Sequence, residues 1–374
     1  MALSSRAALM IRSFLVLLSS VAVLGTRRAG FFNNTKIPDN YRQYTAGVVI
    51  FGDSTVDVGN NNHLVTVVKS NFKPYGRSFQ GGKSTGRFCD GKITSDRITE
   101  IIGYPYGLPY LSPEAHGPAI LTGINFASSA SGWYDGTARN FNVKGLTDQF
   151  VWYKNWKAEV LSLVGPEKGN FIISTSLYIF STGANDWVNN YYLNPVLMKK
   201  YNTDEYITFL IGLARGYIQE LYDLGGRNIA VLGLPPLGCL PSQITLHGKG
   251  NQGCVEDYNA VSRKFNDQLK NVINNELKPK FSGGRLIYID IYTTLYAIRT
   301  NSSAYGITEV RTGCCGTGVI ETAIACNQAS IGTCEDANSY LWWDSFHPTE
   351  HAYNILADDL FNQAEATLRG PAHP

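Results

Sequence analysis

Apolar residues along this chain gather in short runs, separated by longer amphipathic stretches. The first run, Val48-Val49-Ile50-Phe51, ends abruptly in Gly52-Asp53-Ser54-Thr55. Later runs are Gly123 to Ala127, Leu177 to Thr182, Ile229 to Leu234 and Leu286 to Ile291. Runs of this length bounded by turn residues are buried strands. Helices are expected between them. One covers Ile93 to Ile102, capped by Asp90, and one Thr147 to Leu163, stopped by Gly165-Pro166. A third starts at the cap Thr203 and runs to Leu224, with Ile207, Leu210, Ile211, Ala214, Ile218 and Leu221 at helical spacing. Glu256 to Lys278, ended by Pro279, and Thr349 to Leu368 complete the set. Strand–helix alternation predicts an α/β fold, a mostly parallel five-stranded sheet with helices on both faces. No repeat, low-complexity linker or composition break interrupts residues 46–370, which are read as one domain with long loops carrying the site.

The first 45 residues read differently. Arg6 and Arg12 precede an eleven-residue apolar run, Phe14 to Leu24. That is too short to span a bilayer, which disfavours a single-span anchor. Residues 1–25 are expected to be a secretory signal, cleaved after Gly25, and 26–45 an N-terminal extension. The formal net charge of +2 and the absence of a basic stripe exclude a nucleic-acid partner. The 22 tyrosines suit sugars or acyl chains, though packing claims many of them.

Seven cysteines in a secreted chain imply disulfides, and the odd number leaves one thiol over. Cys89 stands alone and is the expected free thiol. Cys239 and Cys254 are expected to close one loop. Cys314, Cys315, Cys326 and Cys334 are expected to pair among themselves, in either order. A zinc site in that cluster is the alternative, but no C-x-x-C knuckle supports it. Asn33 and Asn301 head glycosylation sequons.

Ligands of open α/β sheets bind outside the carboxyl ends of the strands. Ser54, the small-residue stretch Ser128–Gly132, and Asn185-Asp186 all follow predicted strands. Asp344-Ser345-Phe346-His347-Pro348 adds a base near the C-terminus. Acyl transfer by a serine needs a base, a group that orients the base, oxyanion donors and a cleft. Ser54 as nucleophile, His347 as base and Asp344 as its orienter meet the first needs. The N–H groups of Ser54 and Gly132 and the amide of Asn185 would be the donors, with glycine at 132 allowing a close backbone approach. Ala130 is the alternative second donor. Asp53 and Asp186 are read as structural. No metal or other cofactor is expected.

These residues bring a family into view. The chain resembles the GDSL esterase/lipases of the SGNH hydrolase superfamily, most closely their secreted plant branch, from about Val48 to Leu368. The resemblance rests on Phe51-Gly52-Asp53-Ser54 with Thr55 to Asn61, on Lys73-Pro74-Tyr75-Gly76 and on Thr85-Gly86-Arg87-Phe88. It continues through Asn125-Phe126-Ala127-Ser128, Gly183-Ala184-Asn185-Asp186, Gly313-Cys314-Cys315-Gly316 and Trp343 to Thr349. It implies a flavodoxin-like α/β/α sandwich, ester hydrolysis, and the roles given above for Ser54, Gly132, Asn185, Asp344 and His347. Thr55 stands where the family's name has Leu, and the block after Ala127 has fewer glycines than many members. Trp133 is an extra residue expected to reshape the nearby rim.

His347-Pro348-Thr349-Glu350-His351 fits the H-x-x-E-H pattern of a zinc peptidase, but Pro348 pushes His347 out of the helix that pattern requires. A G-x-S-x-G elbow of the α/β-hydrolase kind is not expected. An acyltransferase would use the same acyl-enzyme, and a non-catalytic extracellular lipid or polysaccharide binder would keep the fold. The expected product is a secreted enzyme of the cell wall or apoplast, acting on lipid, cutin-like, acetylated-polysaccharide or phenolic esters. The loops 103–118, 133–145 and 187–202 are expected to choose among them.

Overall fold

A computed structural model describes residue 42 and residues 44–369 except 252. The expected signal, most of the N-terminal extension and Asn33 lie outside the described residues. Five parallel strands form the central sheet: β1 (Val48–Gly52), β2 (Gly123–Asn125), β3 (Leu177–Ser181), β4 (Asn228–Leu232) and β5 (Arg285–Ile289). Their order is β2-β1-β3-β4-β5, the flavodoxin-like arrangement. The register pairs Val48 with both Gly123 and Leu177, and Gly52 with Ser181. Every residue of β1, β3 and β4 is buried. Successive strand residues face opposite sides, so both faces of the sheet are covered, as parallel sheets require. At its centre Phe51 stacks 5.0 Å from both Phe150 and Phe180 and 5.2 Å from Phe126.

The longer helices are α1 (Thr94–Ile102), α2 (Leu146–Thr175), α3 (Thr203–Asp223), α4 (Glu256–Asn271), α5 (Tyr292–Thr300) and α6 (Glu350–Arg369). Their positions match the periodicity, but several ends do not. Gly165, with φ 79°, breaks α2 as expected. The helix then resumes with Pro166 in its first turn and continues to Thr175, because proline needs no N–H partner there. The cap of α3 is Asn202, whose side chain accepts from the N–H of Asp204 and Glu205. Asp90 does not cap α1. Asp96 accepts the Ile93 N–H at 2.9 Å, while Asp90 accepts the N–H of Glu350 and so serves α6, 260 residues away. After Asn271 the chain makes a wide π-type turn to Leu277, so α4 ends before Pro279.

A small second sheet was not expected. Strands β6 (Glu309–Gly313) and β7 (Tyr340–Trp342) run parallel. Beyond them the N–H groups of Cys314 and Cys315 bond the carbonyls of Trp342 and Trp343. Disulfides Cys314–Cys334 and Cys315–Cys326 staple the loop between these strands, and Cys239–Cys254 closes a third loop. Cys89 is a buried free thiol. The staples support the segment that carries Asp344 and His347.

Arg87 forms a buried two-pronged ion pair with Asp96, with nitrogen–oxygen distances of 2.7 and 2.6 Å. Removing one partner of a buried pair strands the other's charge. Arg87→Ala should therefore destabilise the fold by about 3–5 kcal/mol, read as a lower urea midpoint in the disulfide-intact protein.

Candidate active site

Gly52 ends β1 where a Cβ would meet the Ser181 carbonyl oxygen at 2.2 Å. The chain then turns sharply, with the N–H groups of Val56 and Asp57 donating to the Asp53 carbonyl. This turn holds Ser54 at the crevice between β1 and β3, where the sheet's connections diverge. Asp53 stabilises the turn, since its Oδ1 accepts from the N–H and hydroxyl of Thr55.

The residues after Ser54 tie this turn to the next strand end. Asp57 Oδ1 accepts the N–H groups of Gly59 and Asn60, and its Oδ2 accepts both the N–H and hydroxyl of Ser129. Asn60 Nδ2 donates to the carbonyls of Asn125 and Ala127, and Asn61 Nδ2 to that of Ser129. By composition Asn60-Asn61-Asn62 marks only irregular chain. In the fold the first two are buried splints, satisfying backbone groups that loops normally leave to water. Strand β2 ends at Asn125, before the expected Ala127, although the N–H groups of Phe126 and Ser128 still bond β1.

Ser54 Oγ lies 2.7 Å from Nε2 of His347. The other ring nitrogen, Nδ1, lies 2.8 Å and 2.9 Å from the two carboxylate oxygens of Asp344. All three residues are buried, Ser54 at 7% and His347 at 6% exposed. Asp344 Oδ1 also accepts the N–H groups of Phe346 and His347, and Oδ2 the hydroxyls of Tyr75 and Thr322. Burial alone would raise its pKa, but the charge and hydrogen bonds of His347 and the other donors hold it below the usual value. Burial and the adjacent Asp344 push Tyr75 well above the ordinary phenol range, so it remains a donor. Tyr75 and Thr322 were not singled out by sequence reasoning. The signal for Tyr75 was its place in the Lys73–Gly76 block. Thr322 had none.

The cleft beside Ser54 has a volume of about 210 Å³. Its walls include Val68, Phe141, Val188 and Leu240, and its mouth carries the exposed side chains of Val67 and Ile324. Loops 133–145 and 187–202 contribute as expected. Loop 103–118 does not line it, and segments around Val67 and Ile324 do instead.

Asn185 faces the cleft. Its Oδ1 accepts from Asn189 and its Nδ2 donates to the Ser131 carbonyl, which fixes the amide and leaves one N–H over. Ala130 lines the cleft at φ 67°, and Gly132 is absent from the lining. The close approach inferred for Gly132 is real but faces elsewhere. A Cβ there would meet the Asp186 carboxylate at 2.2 Å. That carboxylate accepts the N–H groups of Trp133 and Tyr134 and the hydroxyl of Thr137. Trp133 is fully buried against Phe180 rather than shaping a rim. Among the described residues, the N–H groups of Ser54, Ala130 and Gly132 donate to no other protein group.

The competing patterns come apart. His351 Nε2 donates to the Tyr305 carbonyl, so the two histidines of the H-x-x-E-H sequence have separate partners. One pentapeptide, Gly82-Lys83-Ser84-Thr85-Gly86, does fit G-x-S-x-G, contrary to expectation. It lies in a loop, and its serine hydroxyl donates to the Tyr75 carbonyl.

Burial raises Asp53 to about 6 and Asp186 to about 7. A carboxyl whose folded pKa exceeds its unfolded value binds more protons in the folded state, so stability falls as pH rises through that window. Asn at position 53 retains the oxygen that accepts from Thr55 and cannot ionise. Asp53→Asn should therefore remove about 3 kcal/mol of the loss between roughly pH 4 and pH 7, seen as a flatter Tm–pH curve.

Residues 48–360 match the family described as GDSL-like Lipase/Acylhydrolase. Three Arabidopsis thaliana proteins are similar over most of their length. GDSL esterase/lipase At5g22810 is 46% identical over 317 residues, covering 84% of this chain and 87% of its own. GDSL esterase/lipase At5g03820 is 41% identical, covering 94% and 98%, and GDSL esterase/lipase APG is 42% identical, covering 88% and 94%. A strand order, a serine at the β1 crevice and these likenesses agree: the chain belongs to the GDSL esterase/lipase family and is a carboxylic-ester hydrolase.

Proposed function

We propose that this hydrolase works through a Ser54–His347–Asp344 triad and a covalent acyl-enzyme. The observation that carries the reading is the unbroken hydrogen-bond chain from Ser54 Oγ through the His347 ring to Asp344. His347 Nε2 takes the Ser54 proton as Oγ attacks the ester carbonyl. The oxyanion is held by the N–H of Ser54, the N–H of Ala130 and the spare Nδ2 hydrogen of Asn185. Ala130 replaces Gly132 in this role because it lines the cleft. His347 then protonates the departing alcohol, takes a proton from water, and returns it to Ser54 as the acid leaves. Asp344 stays ionised, fixes the tautomer and supports the imidazolium.

The cleft's apolar walls favour esters with a hydrocarbon portion. Three disulfides fit an oxidising compartment, and the exposed Asn301 fits a glycosylated, secreted protein of one domain over residues 46–370. Among the described residues no helix is long and apolar enough to cross a membrane.

Ser54→Ala should lower turnover of a short-chain aryl ester at least about 10⁴-fold without loss of stability. A serine-directed phosphonate should label Ser54 and stop turnover in the parent protein. Retained turnover in the variant would overturn the triad. Asn185→Ala should lower kcat about 10²–10³-fold with little change in KM, since the oxyanion forms only after binding.

A further inference from the structure

The catalytic cleft is small for the esters its walls would suit. A cavity of about 150 Å³ holds one benzene ring. On that scale the cleft, at about 210 Å³, takes about eight non-hydrogen atoms. The ester's own carbon and oxygens use part of that room, which leaves space for about five carbons. Any longer hydrocarbon has to leave through the mouth.

The mouth itself is apolar. Val67 and Ile324 line the cleft and are also 61% and 56% exposed. One apolar surface therefore runs from inside the cleft to the outside of the protein, and Val65 beside it is exposed as well. Single exposed aliphatic residues are ordinary on a protein surface, but these two continue the lining of the reactive site. Their backbones are also pinned. Thr66, between the two valines, donates its hydroxyl to the Phe141 carbonyl, and Asn142 Nδ2 donates to the Val65 carbonyl, both at 2.7 Å. On the other segment the Ala323 N–H bonds Tyr75 OH and Asn327 Nδ2 donates to the Ile324 carbonyl. The Cys315–Cys326 disulfide follows directly. Both side chains are β-branched and hold few rotamers. A surface already fixed in place loses little freedom when a ligand lies on it.

Charge narrows the occupant. Among the described residues no lysine, arginine or glutamate lines the cleft, and its two titratable side chains, Asp53 and His347, lie at the reacting end. The lining thus offers no cation at the mouth for a phosphate or carboxylate headgroup. A neutral hydrocarbon chain suits an aliphatic surface without ions, because a charged group would lose water there and gain no partner.

We propose that Val67 and Ile324 form a chain subsite outside the cleft, and that the enzyme prefers neutral esters with a hydrocarbon chain of more than about five carbons. The proposal rests on the acyl-enzyme reading above and adds the substrate class and the residues that select it. The chemistry is the same whether the chain sits on the acyl or the alcohol half, and the test separates the two.

The test measures hydrolysis of ethyl acetate, ethyl octanoate and octyl acetate, each below its solubility limit, by the secreted, disulfide-intact protein. For at least one of the two longer esters kcat/KM should exceed that for ethyl acetate by about tenfold or more. Ethyl octanoate ahead assigns the chain to the acyl half, and octyl acetate ahead assigns it to the alcohol half. Replacing both mouth residues, Val67→Ser with Ile324→Ser, should lower that preference about tenfold. Substitutions at exposed positions cost little stability, so the double variant should fold. The loss should fall on KM rather than kcat, because the chain contacts form before the ester reacts and persist while it does. Ratios near one for both longer esters, or a preference that the double variant keeps, would overturn the subsite. Failure of the parent protein to hydrolyse any of the three esters or to take up the phosphonate at Ser54 would instead overturn the acyl-enzyme reading, and the subsite with it.

Discussion

A carboxylate with no exposed surface, that of Asp344, is the point on which the site converges. An ionised carboxylate can be buried only where donors replace its water shell. Here they come from three parts of the chain: Tyr75 near the start of the fold, Thr322 in the stapled loop, and the N–H groups and ring of the 346–347 segment. Satisfying that one charge brings these segments together. Once they are together, His347 can face Ser54, 293 residues earlier. Gly313 packs directly on the Asp344 backbone, where a Cβ would come within 2.7 Å of its carbonyl. The disulfides beside it therefore brace the loop of Asp344 and His347 as well as their own.

The opposite side of the cleft rests on buried polar groups too. Asp57, Asn60 and Asn61 bond the loop after β2, and Asp186 bonds the start of the next one. The two sets differ electrostatically. Asp344 meets a histidine and stays below its normal pKa, whereas burial dominates at Asp53 and Asp186 and raises theirs. The protein thus keeps a negative charge beside the His347 ring. It accepts weaker ionisation where only backbone N–H groups and hydroxyls have to be held.

Sequence reasoning went furthest where one local signal sufficed. The strand runs, the helical spacing of α3 and the polar strand ends all survive in the structure. It faltered where a residue's partner is distant. Asp90 has the composition of a local cap but serves a helix 260 residues away. Gly132 needs its missing side chain because Asp186 is behind it, whereas Ala130 faces the cleft from a left-handed conformation that sequence gives no reason to assign. Loop 103–118 has the composition of a rim but does not line the cleft, and β6, a polar and part-exposed strand, lies too far in sequence from β7 to announce their pairing.

Residue order alone therefore determined the fold class, the number of core strands, the polar strand ends that meet at the cleft and the pairing of Cys239 with Cys254. Each follows from hydrophobic period, turn chemistry or spacing, which act over a few residues. Tertiary structure alone decided the pairing order within Cys314–Cys334, the backbone at Ala130 that lines the cleft and the donors around Asp344. Those depend on how buried polar groups find partners across the whole chain, and that search is closed only by the packed fold.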